Sequence, residues 1–75
     1  MTKKHFEAIA EDINKRAVVI IHSEESTDKE KYYGLFTLNH LVYDLGSSFA
    51  KFNDKFDYDK FIKACGVQTL LIELG

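Results

Sequence analysis

The sequence predicts an all-α fold: a helical hairpin closed by a short third helix, in a three-helix bundle-like arrangement. Three observations carry this prediction. Apolar residues recur at spacings of three and four over two long segments, residues 3–22 and 28–52. A capping box precedes the second segment, and a hydrophobic staple precedes a third, shorter one. The chain also contains no proline that would interrupt a helix.

The first helix is predicted over residues 3–22, with Thr2 placed to cap its first turn. One signal opposes it, because the run Ala-Val-Val-Ile-Ile at residues 17–21 is also typical of a buried strand. The helical phase that begins at Phe6 continues through Ile20, so the periodicity favours a helix, and a strand at 17–22 stays the alternative. The apolar stripe consists of Phe6, Ile9, Ala10, Ile13, Ala17, Ile20 and Ile21.

The second helix is predicted to start at Asp28, after a polar turn at residues 23–27. Thr27 and Glu30 have the spacing of a capping box. Glycine costs about 1 kcal/mol relative to alanine inside a helix, so Gly34 and Gly46 predict either a break near Gly34 or a close helix crossing at Gly46. The apolar positions form a heptad seam of Leu35, Leu38, Val42, Leu45, Phe49 and Phe52.

The third helix is predicted over residues 58–65. Phe56 precedes the cap Asp57, and Phe61 follows it by the four residues of a hydrophobic staple. Gly66 suits a C-terminal stop. The four phenylalanines Phe49, Phe52, Phe56 and Phe61 are all predicted to lie in the core.

The chain is short enough to form only one small domain, residues 1–75, ending in an apolar interaction tail at 67–75 without a clear period. A three-helix core reserves no place for the apolar side chains of this tail. They are expected either to pack over the first helix near Ile9 and Ile13 or to mediate a homodimer, which we favour slightly because the monomer core is small. The tail residues concerned are Leu70, Leu71, Ile72 and Leu74.

The net charge of −2, with acidic and basic residues interleaved, argues against a generic nucleic-acid binder. The single cysteine rules out an internal disulfide framework and a thiolate zinc cage. No segment resembles a signal peptide or approaches the length of a membrane span. We therefore expect a cytoplasmic protein without a membrane partner.

No residue pattern indicates catalysis, a metal or a cofactor. His5, His22 and His40 lie 17 and 18 residues apart and match no ligand motif. Cys65 lies on the inward side of a short helix, where a small thiol packs well. The sequence therefore predicts that the protein is not an enzyme.

Aromatic residues off the heptad seam predict an interface. Four aromatics, Tyr32, Tyr33, Phe36 and Tyr43, do not fall on the seam, and Phe36 and Tyr43 share a second helix face. Of these, Tyr33, Phe36 and Tyr43 are the predicted interface residues. Aromatic side chains on a partly exposed face are enriched in protein interfaces. The alternative is that the first or third helix covers them.

Both ends of the chain resemble a set of small uncharacterised proteins of phages and other mobile elements. The opening Met-Thr-Lys-Lys-His-Phe-Glu-Ala-Ile-Ala and the closing Phe-Asp-Tyr-Asp-Lys-Phe-Ile-Lys-Ala-Cys-Gly-Val, which follows Ala-Lys-Phe-Asn, carry the resemblance. It covers roughly residues 1–16 and 49–67, whereas the eight residues after Val67 depart from it. The resemblance implies a viral or mobile-element origin and a mainly helical fold.

Taken together, these features predict a non-catalytic interaction factor of phage origin that binds a host protein in the host cytoplasm. Inhibition of a CRISPR-Cas defence component is one concrete form. The alternative is a small nucleic-acid-binding regulator that docks residues 28–52 or 58–65 in a groove.

Overall fold

The computed structural model describes residues 2–74 and confirms the all-α prediction, since these residues contain no strand. Met1 and Gly75, the two ends of the predicted domain, lie outside the described residues. The helices are α1 (Lys3–Ile21), α2 (Asp28–Phe52), α3 (Tyr58–Cys65) and α4 (Val67–Leu74). The molecule measures 40 × 17 × 15 Å, so α2, about 38 Å long at 1.5 Å per residue, runs its whole length.

The β-branched run at residues 17–21 is helical, so the strand alternative for 17–22 is wrong. Ala17 is completely buried and Ile20 packs against the core, which continues the apolar stripe that includes Ala10. Tertiary burial of this stripe outweighs the local strand preference of valine and isoleucine.

At the other end of α1, the backbone N–H of Thr2 donates to Nδ1 of His5 over 3.0 Å, which gives this histidine a capping role.

The predicted capping box of α2 is present. The Thr27 backbone N–H donates to Glu30 Oε1 at 3.0 Å, and the Glu30 N–H donates to Thr27 Oγ1 at 3.1 Å. The hydrogen bond from the Thr27 N–H to the Glu30 carboxylate lowers the pKa of Glu30, and a hydrogen bond from the Thr27 side chain lowers it further. The helix continues through Gly34 without a break, whereas Gly46 is buried at a close crossing with Tyr58 of α3.

The heptad seam of α2 is buried or half-buried except at its end. Leu35 and Val42 are buried, but Phe52 is 86% exposed, so its assignment to the core is wrong. Phe49 already lies opposite Phe6 of α1, with 4.9 Å between ring centroids. One turn further along α2, Phe52 shares only a shallow depression with Phe6 and Phe49, and its ring stays in solvent.

Four aromatic rings close this end of the molecule. Phe6 lies 4.7 Å from Phe56, and Phe49 lies 5.5 Å from Phe61, between ring centroids. Phe56 and Phe61, the predicted staple, are 5.5 Å apart. These contacts hold the start of α3 against both long helices.

Gly66 ends α3 and also begins α4. Its φ of +68° lies in the left-handed region that favours glycine, and its carbonyl accepts a hydrogen bond from the Leu70 N–H. Asn14 of α1 fixes this junction, because its Nδ2 donates to the Cys65 carbonyl over 3.0 Å. A Cβ atom on Gly66 would lie 2.8 Å from that nitrogen, so the close approach requires glycine as well.

The predicted tail is a fourth helix, which corrects the expectation of three helices. Val67 is buried, and Leu70, Leu71 and Leu74 pack against the core. Their spacings of three, one and three residues place them on one helix face. Ile72 hides this pattern in the sequence, because it is apolar but 71% exposed. α4 packs mainly against α2 and also contacts α1, rather than lying chiefly over the first helix.

Candidate protein-interaction surface

A row of exposed aromatic and apolar side chains covers the outer side of α2. Tyr32, Tyr33, Phe36 and Leu41 are 43%, 57%, 44% and 50% exposed, and His40 is exposed beside them. We call the four residues Tyr32, Tyr33, Phe36 and His40 the α2 outer surface; Leu41 lies on another flank of α2, about 140° around the helix from Phe36. The sequence predicted Tyr33 and Phe36 as interface residues and did not single out Leu41.

The rings of this surface are packed against one another. Tyr32 and Phe36 are stacked at 6.0 Å with an interplanar angle of 22°, and Tyr33 meets Tyr32 edge-on at 5.9 Å. His40 meets the edge of Phe36 at 4.6 Å. Neighbouring rings restrict one another's rotamers, which lowers the entropy cost of ordering them on binding.

Charged side chains are absent from this part of α2. No Asp, Glu, Lys or Arg occurs between Lys31 and Asp44, in a chain of which 29% of the residues are charged. Exposed helix faces are normally rich in charge, and depletion of charge is typical of the centre of protein interfaces. This uncharged interval is the signal in the sequence that would have found Leu41.

Tyr43, the third predicted interface residue, is half-buried and joins three helices. Its hydroxyl donates to Oε1 of Gln68 on α4, and its ring lies 6.3 Å from that of Tyr58 on α3. The alternative that another helix covers these aromatics therefore holds for Tyr43, whereas Tyr33 and Phe36 are uncovered. Tyr43 forms the edge of the α2 outer surface.

Among the four apolar tail residues predicted to form an interface, only Ile72 is exposed. Leu70, Leu71 and Leu74 are taken up by the core, so they form no free apolar patch. Ile72 follows Gln68 by one helical turn and therefore lies on the side of α4 that faces Tyr43. The structure thus adds one apolar residue of α4 to the edge of the α2 outer surface.

Cys65, the remaining candidate for chemistry, lies in the core. Cys65 is fully buried, and this burial raises the pKa of its thiol to about 11, so the thiol is neutral near pH 7. Within residues 2–74, no group of three His, Cys, Asp or Glu side chains is placed to hold a metal ion. None of the helices described for these residues is both long and apolar enough to cross a membrane.

Comparison of the chain with protein-family models, curated proteins and solved structures finds no match.

Proposed function

We propose that this protein is a non-catalytic interaction factor that binds another protein through the α2 outer surface. The observation that carries the proposal is a run of twelve residues, 32–43, that is free of Asp, Glu, Lys and Arg and exposes aromatic rings to solvent. A compact monomer gains nothing from exposing such a face, whereas a partner that covers it gains the free energy of burying large apolar side chains.

The spacing of the rings suits recognition of a helix face by a groove. Tyr32, Phe36 and His40 lie one turn apart along α2, and Tyr33 is displaced to the side. A partner with an apolar groove would bury the ring faces and leave the Tyr33 hydroxyl at the rim, where it can hydrogen-bond. Since the rings are already packed on one another, binding costs little side-chain entropy.

The proposed target is a host protein in the cytoplasm of the cell that the mobile element enters. This part rests on the resemblance of residues 1–16 and 49–67 to small phage proteins. Inhibition of a CRISPR-Cas component is the concrete form that we propose to test first. Burial of the Cys65 thiol supports a binding role over a nucleophilic one.

The experiment compares the wild-type chain with two variants as bait in a lysate of the host. Tyr33→Ser combined with Phe36→Ser removes the two predicted rings of the surface. Val19→Ser is the matched control, because Val19 is a 58% exposed apolar residue of α1. A partner identified by mass spectrometry is then purified and titrated against all three chains by calorimetry.

We expect the wild type and Val19→Ser to bind the same partner with equal affinity, and the double variant to bind at least tenfold more weakly. Equal binding by all three chains would reject the α2 outer surface. Failure to recover a specific protein, together with tight and steeply salt-dependent binding of duplex DNA, would support the nucleic-acid-binding alternative instead.

A further inference from the structure

The most exposed large apolar side chain lies at the other end of α2. Phe52, the last residue of this helix, is 86% exposed and is the final position of the heptad seam. In contrast to the rings of the α2 outer surface, it has no aromatic neighbour that shields it. A seam residue without a partner helix is a site at which another chain can complete the seam.

An open apolar groove of about 390 Å³ lies close to Phe52, between the start of α1 and α3. Its apolar lining consists of Phe6, Ala10, Phe56, Phe61 and Ala64. Phe52 does not line this groove, although Phe6 and Asn53 border both the groove and the shallow depression beside Phe52. The helical backbone therefore holds the projecting ring next to a groove of its own chain that it does not fill.

The rim of the groove carries three lysines, Lys3, Lys55 and Lys60, against the two carboxylates of Glu7 and Asp57. Lys3 lies 4.0 Å from Glu7, and Asp57 caps α3 by accepting from the Lys60 backbone N–H. Neither Lys55 nor Lys60 forms an ion pair with a carboxylate of residues 2–74. The groove thus suits an apolar side chain that is accompanied by a carboxylate.

The chain itself carries such a pair, because the exposed Asp54 follows Phe52 by two residues. We infer that two copies of this chain form a symmetric dimer in which Phe52 of each copy enters the groove of the other. Asp54 of each copy then approaches Lys60 of the second copy. Ring and groove lie at the same end of the molecule, so each copy donates and accepts once, as an isologous interface requires.

The dimer is expected to be weak. Two phenylalanine side chains, each burying about 150–250 Å² together with the groove walls, make an interface below the ~1,200 Å² of stable complexes. The surface used is also separate from the α2 outer surface. Both copies would therefore keep that surface free, and the dimer would present it twice.

Sedimentation velocity of the full chain between about 10 μM and about 1 mM, the range in which small interfaces dissociate, tests this inference. We expect a concentration-dependent dimer that Phe52→Ser weakens at least tenfold. Phe36→Ser is the matched control on the α2 outer surface and should leave the dimer unchanged. Both replaced rings are exposed, and circular dichroism verifies that each variant is folded.

Charge reversal tests the pairing directly. Lys60→Glu and Asp54→Lys should each weaken the dimer, and the two changes together should restore it. Glutamate suits position 60, the third residue of α3, where it can complete a capping box, so loss of the fold is not expected. A monomer at every concentration, a dimer insensitive to Phe52→Ser, or a double variant no tighter than the single ones would overturn the inference.

Discussion

Cys65 lies at the point where α3 ends and three helices meet. Its side chain is fully buried, and its carbonyl accepts the hydrogen bond from Asn14 of α1. The neutral thiol fills core volume, and the backbone of the same residue ties α3 to α1. A small apolar residue at this position is therefore a requirement of packing rather than of chemistry.

Burial of this thiol predicts a loss of stability in alkaline solution. The pKa of Cys65 rises from 9.0 to about 11 on folding, because burial disfavours the thiolate. The contribution of the neutral thiol to the free energy of unfolding is therefore complete below pH 9 and is lost as the pH rises through 11. The unfolded chain ionises first, and the loss amounts to roughly 2–3 kcal/mol of the free energy of unfolding. Urea unfolding of the wild type between pH 7 and pH 11 measures it.

Cys65→Ala is the control, because lysine and tyrosine residues also titrate in this range and affect both proteins equally. We expect the stability difference between the wild type and Cys65→Ala to shrink above pH 9. A constant difference would show that the thiol ionises as easily in the folded protein as in the unfolded chain.

At the scale of the element, the two glycines of α2 have different roles. A Cβ atom on Gly46 would lie 2.9 Å from Cε2 of Tyr58, whereas one on Gly34 would lie 3.4 Å from Cγ2 of Ile20. The first distance is too short for an unmoved neighbour, and the second is close to an ordinary contact. Glycine is thus required where α3 crosses α2 and dispensable at Gly34.

We predict opposite effects of alanine at these two positions. Gly34→Ala should raise the free energy of unfolding by up to about 1 kcal/mol, because alanine favours the helix. Gly46→Ala gains the same propensity but must displace the Tyr58 ring, and we expect a net loss of about 1–3 kcal/mol. Thermal unfolding followed by circular dichroism compares the two; equal stabilisation by both would contradict the close crossing.

At the scale of the whole molecule, α4 completes a core that three helices leave open. The buried residues come from all four helices, and Val67 of α4 is among the fully buried ones. A domain of this size has few such residues, so each contributes a large share of its net stability. The short fourth helix is therefore structural, even though one of its side chains, Ile72, faces solvent.

This role predicts that neighbouring residues of α4 respond differently to truncation. Leu71→Ala should lower the free energy of unfolding by about 2 kcal/mol, because it removes packing against the core. Ile72→Ala, at a 71% exposed position, should change it by less than about 0.5 kcal/mol. Denaturant titration of both variants measures the difference, and equal effects would contradict the packing of α4.

The sequence by itself determined three of the four helices, α1 to α3, because their signals are local. Thr27 with Glu30, Asp57 with Lys60, and the staple of Phe56 and Phe61 all act within five residues. The inward position of Cys65 follows from helical periodicity in the same way. Of the two alternatives for the glycines of α2, the close crossing at Gly46 is confirmed and the break near Gly34 is not. The strand weighed at 17–22 is wrong because tertiary packing outweighs local propensity.

Only the tertiary structure decided which apolar residues are covered. Phe52 obeys the same heptad pattern as Phe49, yet it projects into solvent because it is the last residue of α2, where the packing against the other helices ends. Tyr43 and Phe36 share one face of α2, yet only Tyr43 is covered, by Gln68 and Tyr58 from distant parts of the chain. The helical repeat of the sequence predicts on which side of a helix a residue lies. Its exposure to solvent depends on where the neighbouring helices begin and end.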